Sequence, residues 1–383
     1  MALSKIDVAN MLTGLVPNDN TIRRKNAKPI IINGDCAVAQ RNTSVASLTS
    51  AGAVQTVDRI KNEITNIGTY TVIQESLTSG EAYNNGFRKA WRIDCTSADA
   101  SPASADNLYV VYNFEGQDLQ LFKKGTSNAE KFTLAFWIKS NKTGTGQVNL
   151  RDNDNTRLIG GTYTISSADT WEHKVVNFAA DTTGAFDNDN AGSMDIEWWL
   201  DSGTTYSSGA TPTAWEAFAQ ADRNASGNLQ IARNTANDWA ITGIQLEVGE
   251  YTSSTLPPFQ HESYGDNLAR CQRYYLRYQG DSSDQRSIGD GFFNDGSNIR
   301  ATVNFPVTMR APGTITESTL VSLWQGGSSE AVSLTATIDP ATNAVLASVS
   351  ADSGSPYSSY VGEGVNIRTS DNANAFFAVD AEL

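Results

Sequence analysis

Apolar residues recur at every second position, in short runs, along most of this chain. Between residues 87 and 95, Trp91, Ile93 and Cys95 point one way and Arg92 and Asp94 the other, the period of a half-buried strand. Related runs fill 69–75, 108–114, 132–140, 171–178, 194–200 and 239–248, and later 271–278, 286–293, 298–305, 320–325, 331–338, 345–351 and 375–381. Between them lie turn-forming clusters: Asn84-Asn85-Gly86, Gly144-Thr145-Gly146, 152–155, 187–190 and the hairpin candidate Asn294-Asp295-Gly296-Ser297. No helical segments alternate with the strands, which excludes a parallel βαβ sheet. The expected fold class is therefore all-β: an antiparallel jelly-roll β-sandwich followed by a smaller β-sandwich domain. One internal helix is predicted over 213–223, where Trp215, Phe218, Ala219 and Asp222 fall at helical spacing.

The N-terminus differs. Ser4 and Asp7 are spaced as in a capping box, and Val8, Met11, Leu12 and Leu15 follow at i, i+3, i+4 and i+7 before Gly14 and Pro17 interrupt. A helix this short is marginal alone and needs something to dock on. Arg23, Arg24 and Lys25 follow, and the first 28 residues carry five basic and two acidic side chains. They read as an attachment and assembly arm, or as a frayed terminus. Seven of the eight tryptophans lie between 91 and 239, and Pro257-Pro258 sits in a stretch, 256–265, that reads as a linker. The expected organisation is an arm at 1–28, a jelly-roll domain at 29–262 and a C-terminal β-sandwich at 263–383. No repeat of 20 to 50 residues is evident.

Composition enters as a filter. The 383 residues carry a net charge of -14 with only 18% charged side chains, so turn-forming and uncharged polar residues make up the difference. That balance argues against nucleic acid, whose phosphates need Lys and Arg, and no apolar run is long enough for a membrane span. Three scattered cysteines, Cys36, Cys95 and Cys271, form neither a disulfide framework nor a Cys-x-x-Cys site. With two histidines, His173 and His261, zinc or Ser-His chemistry has little material. Nucleotide-binding and nucleophile-elbow motifs are absent, and chance carboxylate pairs prove nothing, so no catalytic residues are assigned and a non-enzyme is expected. Nor does a signal peptide open the chain, which implies synthesis in a cytoplasm.

Two site types stay open. Asp187, Asn188 and Asp189, in a segment (181–201) with six acids and no base, offer oxygens for a structural calcium ion, against the plainer reading that such residues simply make turns. No other cofactor is implied. Sugars stack on exposed aromatic rings: Trp198 and Trp199 are adjacent on a strand and face opposite sides, and Trp137 is out of phase with Phe132, Leu134, Phe136 and Ile138. Each is a candidate glycan contact, or else fills a covered face.

Several segments resemble one family. Asn33-Gly34-Asp35 with Ala39-Gln40-Arg41, Thr133 to Asn141 (TLAFWIKSN), Ala168 to Trp171 (ADTW), Ile241 to Gly249 (ITGIQLEVG), Tyr264 to Tyr275 (YGDNLARCQRYY) and Phe305 to Pro312 (FPVTMRAP) are similar to bacteriophage tail-fibre proteins of marine phages. In these, a jelly roll similar to family 4/9-type carbohydrate-binding modules precedes a C-terminal β-domain. The resemblance spans about residues 30 to 312 in order. It implies a homotrimeric virion protein that attaches through its N-terminus to tail or adaptor proteins and meets a host surface glycan or other receptor. It carries over no catalytic residues. The rival expectations are a structural virion connector and, further off, a polysaccharide depolymerase.

Overall fold

The computed structural model describes residues 28–281, 285–295, 299–318, 321–325, 328–331, 334–339, 344–349, 358–369 and 371–383. The arm residues Val8, Met11, Leu12, Leu15, Arg23, Arg24 and Lys25 lie outside these. The chain divides into two compact units, one holding 43–262 with the preceding chain to Ala37, the other holding 263–383 with Val38–Asn42.

Alternation in the first unit becomes thirteen strands: β1 (Ser44–Leu48), β2 (Ala51–Val54), β3 (Lys61–Thr65), β4 (Thr69–Ser76), β5 (Lys89–Ser97), β6 (Asn107–Glu115), β7 (Phe132–Lys139), β8 (Gly144–Asp152), β9 (Arg157–Ile165), β10 (Glu172–Phe178), β11 (Gly192–Ser202), β12 (Glu216–Ala217) and β13 (Asp238–Val248). They form a six-stranded sheet, β1-β4-β5-β13-β7-β10, and a seven-stranded sheet, β12-β9-β8-β11-β6-β3-β2. Every described pairing is antiparallel, as in β7 with β10 and β11 with β6. The fold is all-β. The inward faces meet in one apolar core: Phe136 of β7 packs edge-on against Tyr163 of β9 and Trp198 of β11, and Trp91 of β5 against Trp239 of β13. All three cysteines are buried, and none is in a disulfide among the described residues.

Two predictions fail locally. Gly144-Thr145-Gly146 is not a turn but the first residues of β8, paired with Tyr163–Ile165 of β9. The helix expected over 213–223 is absent: Glu216 and Ala217 pair with Leu158 and Arg157 at the sheet edge, and only Gln220–Asp222 closes a single 3₁₀ turn. Tertiary contacts override the helical spacing there. The Trp215 indole N–H donates to the Ala179 carbonyl (2.8 Å), its own carbonyl accepts from Arg157 (3.1 Å), and the Phe218 N–H donates to Thr156 (3.0 Å).

In the second unit, Ser263 caps helix α1 (Tyr264–Gln272), its hydroxyl accepting from the Asp266 N–H (3.2 Å). The 256–265 stretch expected as a linker thus ends in a helix cap, and the strand expected from Cys271 begins only at Tyr275. The strands are β14 (Tyr275–Gln279), β15 (Ser287–Phe293), β16 (Ile299–Asn304), β17 (Thr314–Glu317), β18 (Val321–Gln325), β19 (Ser328–Ala331), β20 (Leu334–Asp339), β21 (Ala344–Val349), β22 (Gly364–Thr369) and β23 (Phe376–Asp380). They make a three-stranded sheet, β14-β23-β17, and a seven-stranded one, β19-β18-β22-β15-β16-β21-β20. β15 and β16 pair as expected of a hairpin, although Gly296 and Ser297 of the expected turn lie outside the described residues. Leu276, Phe293, Val303, Ile367 and Phe377 share its core. The family-like Arg41 belongs here: its guanidinium lies 3.6 Å from the Tyr275 ring centre and 2.8 Å from the Asp380 carboxylate. Beside it the Gln40 amide donates to the Tyr275 carbonyl (2.7 Å).

Candidate functional site

A groove of about 410 Å³ opens on the outer face of the six-stranded sheet, entirely within the first unit. A kink in β13 shapes it. The β13–β7 register shifts between Thr242 and Gln245, and Gly243 within that bulge takes φ +60°. A Cβ there would lie 2.6 Å from the Phe87 ring and 2.9 Å from Trp137, so only glycine lets both rings close over the strand. Gly34, in the family-like Asn33-Gly34-Asp35, braces the same bulge: its carbonyl accepts from the Ile244 N–H (2.9 Å), and a Cβ on it would meet the Ile244 carbonyl at 2.2 Å.

Trp137 is half-buried and projects from β7 into this groove, as its phase against buried Phe136 and Ile138 predicts. His173, its cross-strand partner on β10, lies 5.0 Å from it at a 32° tilt. Opposite, Phe259 meets Phe87 edge-on at 4.9 Å, and His261 packs on both rings at 4.8 and 5.3 Å. Pro257, expected in a linker, instead forms groove wall, accepting from the Gln245 amide (3.0 Å). Exposed Asn85 and Ser253 supply further amide and hydroxyl groups. Burial pushes the His173 imidazole below its ordinary range, and the Lys174 ammonium beside it adds to the effect. Aromatic faces flanked by neutral donors and acceptors can hold a molecule with one apolar face and a hydroxylated edge.

The other tryptophan candidates are corrected. Trp198 is 1% and Trp199 0% exposed. Trp198 faces the intersheet core. Trp199 does face outward, stacked on Tyr109 at 4.4 Å, but the connection after β11 folds back over it. That segment delivers Arg223, whose guanidinium sits 4.5 Å from the Trp199 ring and pairs with buried Glu197 at 2.6 Å. Its backbone is fixed to the sheet through Gln147 and Asn149, which donate to the Asp222 and Arg223 carbonyls (both 2.7 Å). No face of either indole remains for a ligand.

Of the calcium candidates, the Asp187 N–H donates to Asp154 and the Asp189 carboxylate accepts from the Ala191 N–H (both 2.9 Å), with Asn188 in the bend between them. Among the described residues no three or more His, Cys, Asp or Glu side chains form a metal cluster. The acidic loops hold a cation of another kind. Lys124, fully buried, sets its Nζ 2.5 Å from Asp152, 3.1 Å from Asp181 and 3.0 and 2.8 Å from the Thr183 and Gly184 carbonyls. Net acidity over 181–201 gave no hint of a partner some sixty residues upstream.

No protein-family model and no curated protein sequence matches the chain. Among solved structures, the enzymatically active domain of bacteriophage CBA120 tailspike protein 4 is similar at 12% identity and TM-score 0.28, over 53% of this chain and 21% of that one. A putative sugar binding protein from Bacteroides thetaiotaomicron aligns at 13% identity and TM-score 0.30, over 58% of this chain and 100% of its own. A family 11 carbohydrate-binding module of a Clostridium thermocellum cellulosomal cellulase aligns at 10% and 0.26, over 55% and 98%. The chain spans about a fifth of the tailspike domain it matches. Among the described residues no helix is long and apolar enough to cross a membrane.

Proposed function

We propose that the first unit is a glycan-binding module working through the Trp137 groove, and that the chain is a tail-fibre or receptor-binding protein of a phage virion. The observation that carries the glycan reading is the groove itself: an accessible indole held over a glycine bulge and ringed by amide and hydroxyl groups. The tail-fibre reading rests on the ordered family-like segments, which cluster in space as well. Asn33-Gly34-Asp35 braces the Ile241–Gly249 bulge, and Ala39-Gln40-Arg41 clamps Tyr275. In this reading attachment is non-enzymatic, the protein is homotrimeric, and the N-terminal arm engages a tail or adaptor protein.

Arrayed host-surface glycans probed with the full chain test the first part. Binding is expected, and Trp137→Ala should weaken it about 10- to 100-fold, as removal of a central aromatic anchor does, while the circular dichroism of the native sandwich is kept and the lost packing on His173 shows as a lower melting temperature. Equal binding by the variant would remove the groove from the function. Released reducing ends on any bound glycan would overturn the non-enzymatic part.

A further inference from the structure

We propose that the groove takes an uncharged sugar and that acid releases it, with His173 and His261 as the specificity-determining pair; this rests on the glycan reading above. The chain has two histidines in 383 residues, and both line this one groove. Among the described residues nothing else ionisable does: the remaining walls are aromatic and aliphatic side chains, amides, a hydroxyl and glycine.

That lining selects by charge. A uronate or a sulfated sugar entering the groove gives up hydration and finds no permanent cation among the described lining residues in return, a cost that a neutral ring avoids. The chain's net charge of -14 adds to the disfavour. Neutral hydroxyls, by contrast, match the exposed Asn85 amide and Ser253 hydroxyl as both donors and acceptors.

The imidazoles then set a pH limit. The charged groups about His173 are Glu172 and Lys174 on its own strand, Lys139 on β7 and Glu81 on the short helix 81–84 packed against β10. About His261 they are Glu262 beside it and Arg88 next to Phe87. Lys174 is held by Glu172 (2.5 Å), Lys139 by Glu75 (3.4 Å), and Arg88 by the Tyr83 and Phe87 carbonyls (both 2.9 Å). A neutral sugar seated on the two rings strips water from them without supplying charge, which disfavours the imidazolium. By linkage, proton and neutral sugar therefore oppose each other. An anionic sugar would reverse the sign, binding tighter as the rings charge.

The test is a titration of the full chain with one panel of neutral and one of uronate-bearing or sulfated oligosaccharides from about pH 8 down to about pH 4.5, the acid end set low because burial holds His173 below the ordinary imidazole range. Neutral sugars should bind, and weaken in acid by up to about tenfold for each unit by which they lower an imidazole pKa. Because there are only two histidines, NMR of the imidazole signals reads the same coupling without a mutation: neutral sugar should lower the His173 midpoint further. In His173→Gln/His261→Gln the ratio of affinities at the two pH values should fall to about one. Preference for the acidic panel, tightening in acid, or a pH-independent neutral affinity would each overturn the proposal while leaving a glycan-binding groove. No binding of either panel would overturn both.

Discussion

Lys124 shows how much one side chain decides. Its ammonium sits among two carboxylates and two carbonyls with no exposed surface, and the Phe186 and Trp215 rings lie 5.2 and 5.1 Å away. Charges removed from water this completely are tolerable only as a matched set. Lys124→Met should therefore cost about 3–5 kcal/mol, because it leaves Asp152 buried without its cation and Asp181 with Arg157 (2.8 Å) alone; urea unfolding measures it. Since the cation is covalently part of the chain, EDTA should leave the wild-type melting temperature where it is. A fall of several degrees would reveal a bound divalent ion and revive a metal role for these loops. Trp137 was legible at the same scale, because a strand's period of two makes an indole between Phe136 and Ile138 point away from their core. His173 and His261 were not. One sits on a strand and the other in a segment that reads as linker, and nothing local in sequence joins them.

Among the elements, β11 and the segment that follows it account for the largest error. The adjacency of Trp198 and Trp199 correctly places them on opposite faces, but strand phase says nothing about what covers a face. The cover comes from an irregular segment anchored by Arg223, and irregular segments carry no periodic signal. α1 did carry one: Ser263 and Asp266 stand at capping-box spacing, masked by the prolines before them. The Glu197–Arg223 pair beneath the cover has a pH signature. Burial alone raises the Glu197 carboxyl, but Arg223, helped by the Trp199 N–H, outweighs it and holds the group below its usual range. A carboxyl depressed on folding stabilises above its unfolded value, about pH 4.3, and loses that contribution as pH falls through the folded one. Arg223→Met should thus raise the midpoint of acid unfolding followed by tryptophan fluorescence. Trp199→Phe, which loses the N–H bond to Glu197, should lower stability by about 1 kcal/mol with glycan affinity unaltered. A parallel loss of glycan binding would mean that the covered face opens in solution.

For the whole molecule, the uneven charge is the feature that most bears on assembly. The body carries the acids and the first 28 residues a local excess of three positive charges. A single groove of 410 Å³ engages little more than a few sugar rings, so useful attachment to a cell surface requires several copies acting together. Three-fold symmetry supplies them if the chains associate, and light scattering should then give about three times 41.2 kDa. A monomeric mass would sink the trimer reading and, with it, avidity as the source of attachment. The arm makes a separable claim. Replacing Arg23, Arg24 and Lys25 with Glu turns its net charge from positive to negative, and like charges across a docking surface oppose association. The variant should keep the wild-type melting temperature and glycan affinity, yet enter particles poorly when it competes with wild-type protein during assembly. Equal incorporation would show that the arm's charge is incidental and that attachment runs through its apolar positions Val8, Met11, Leu12 and Leu15 instead.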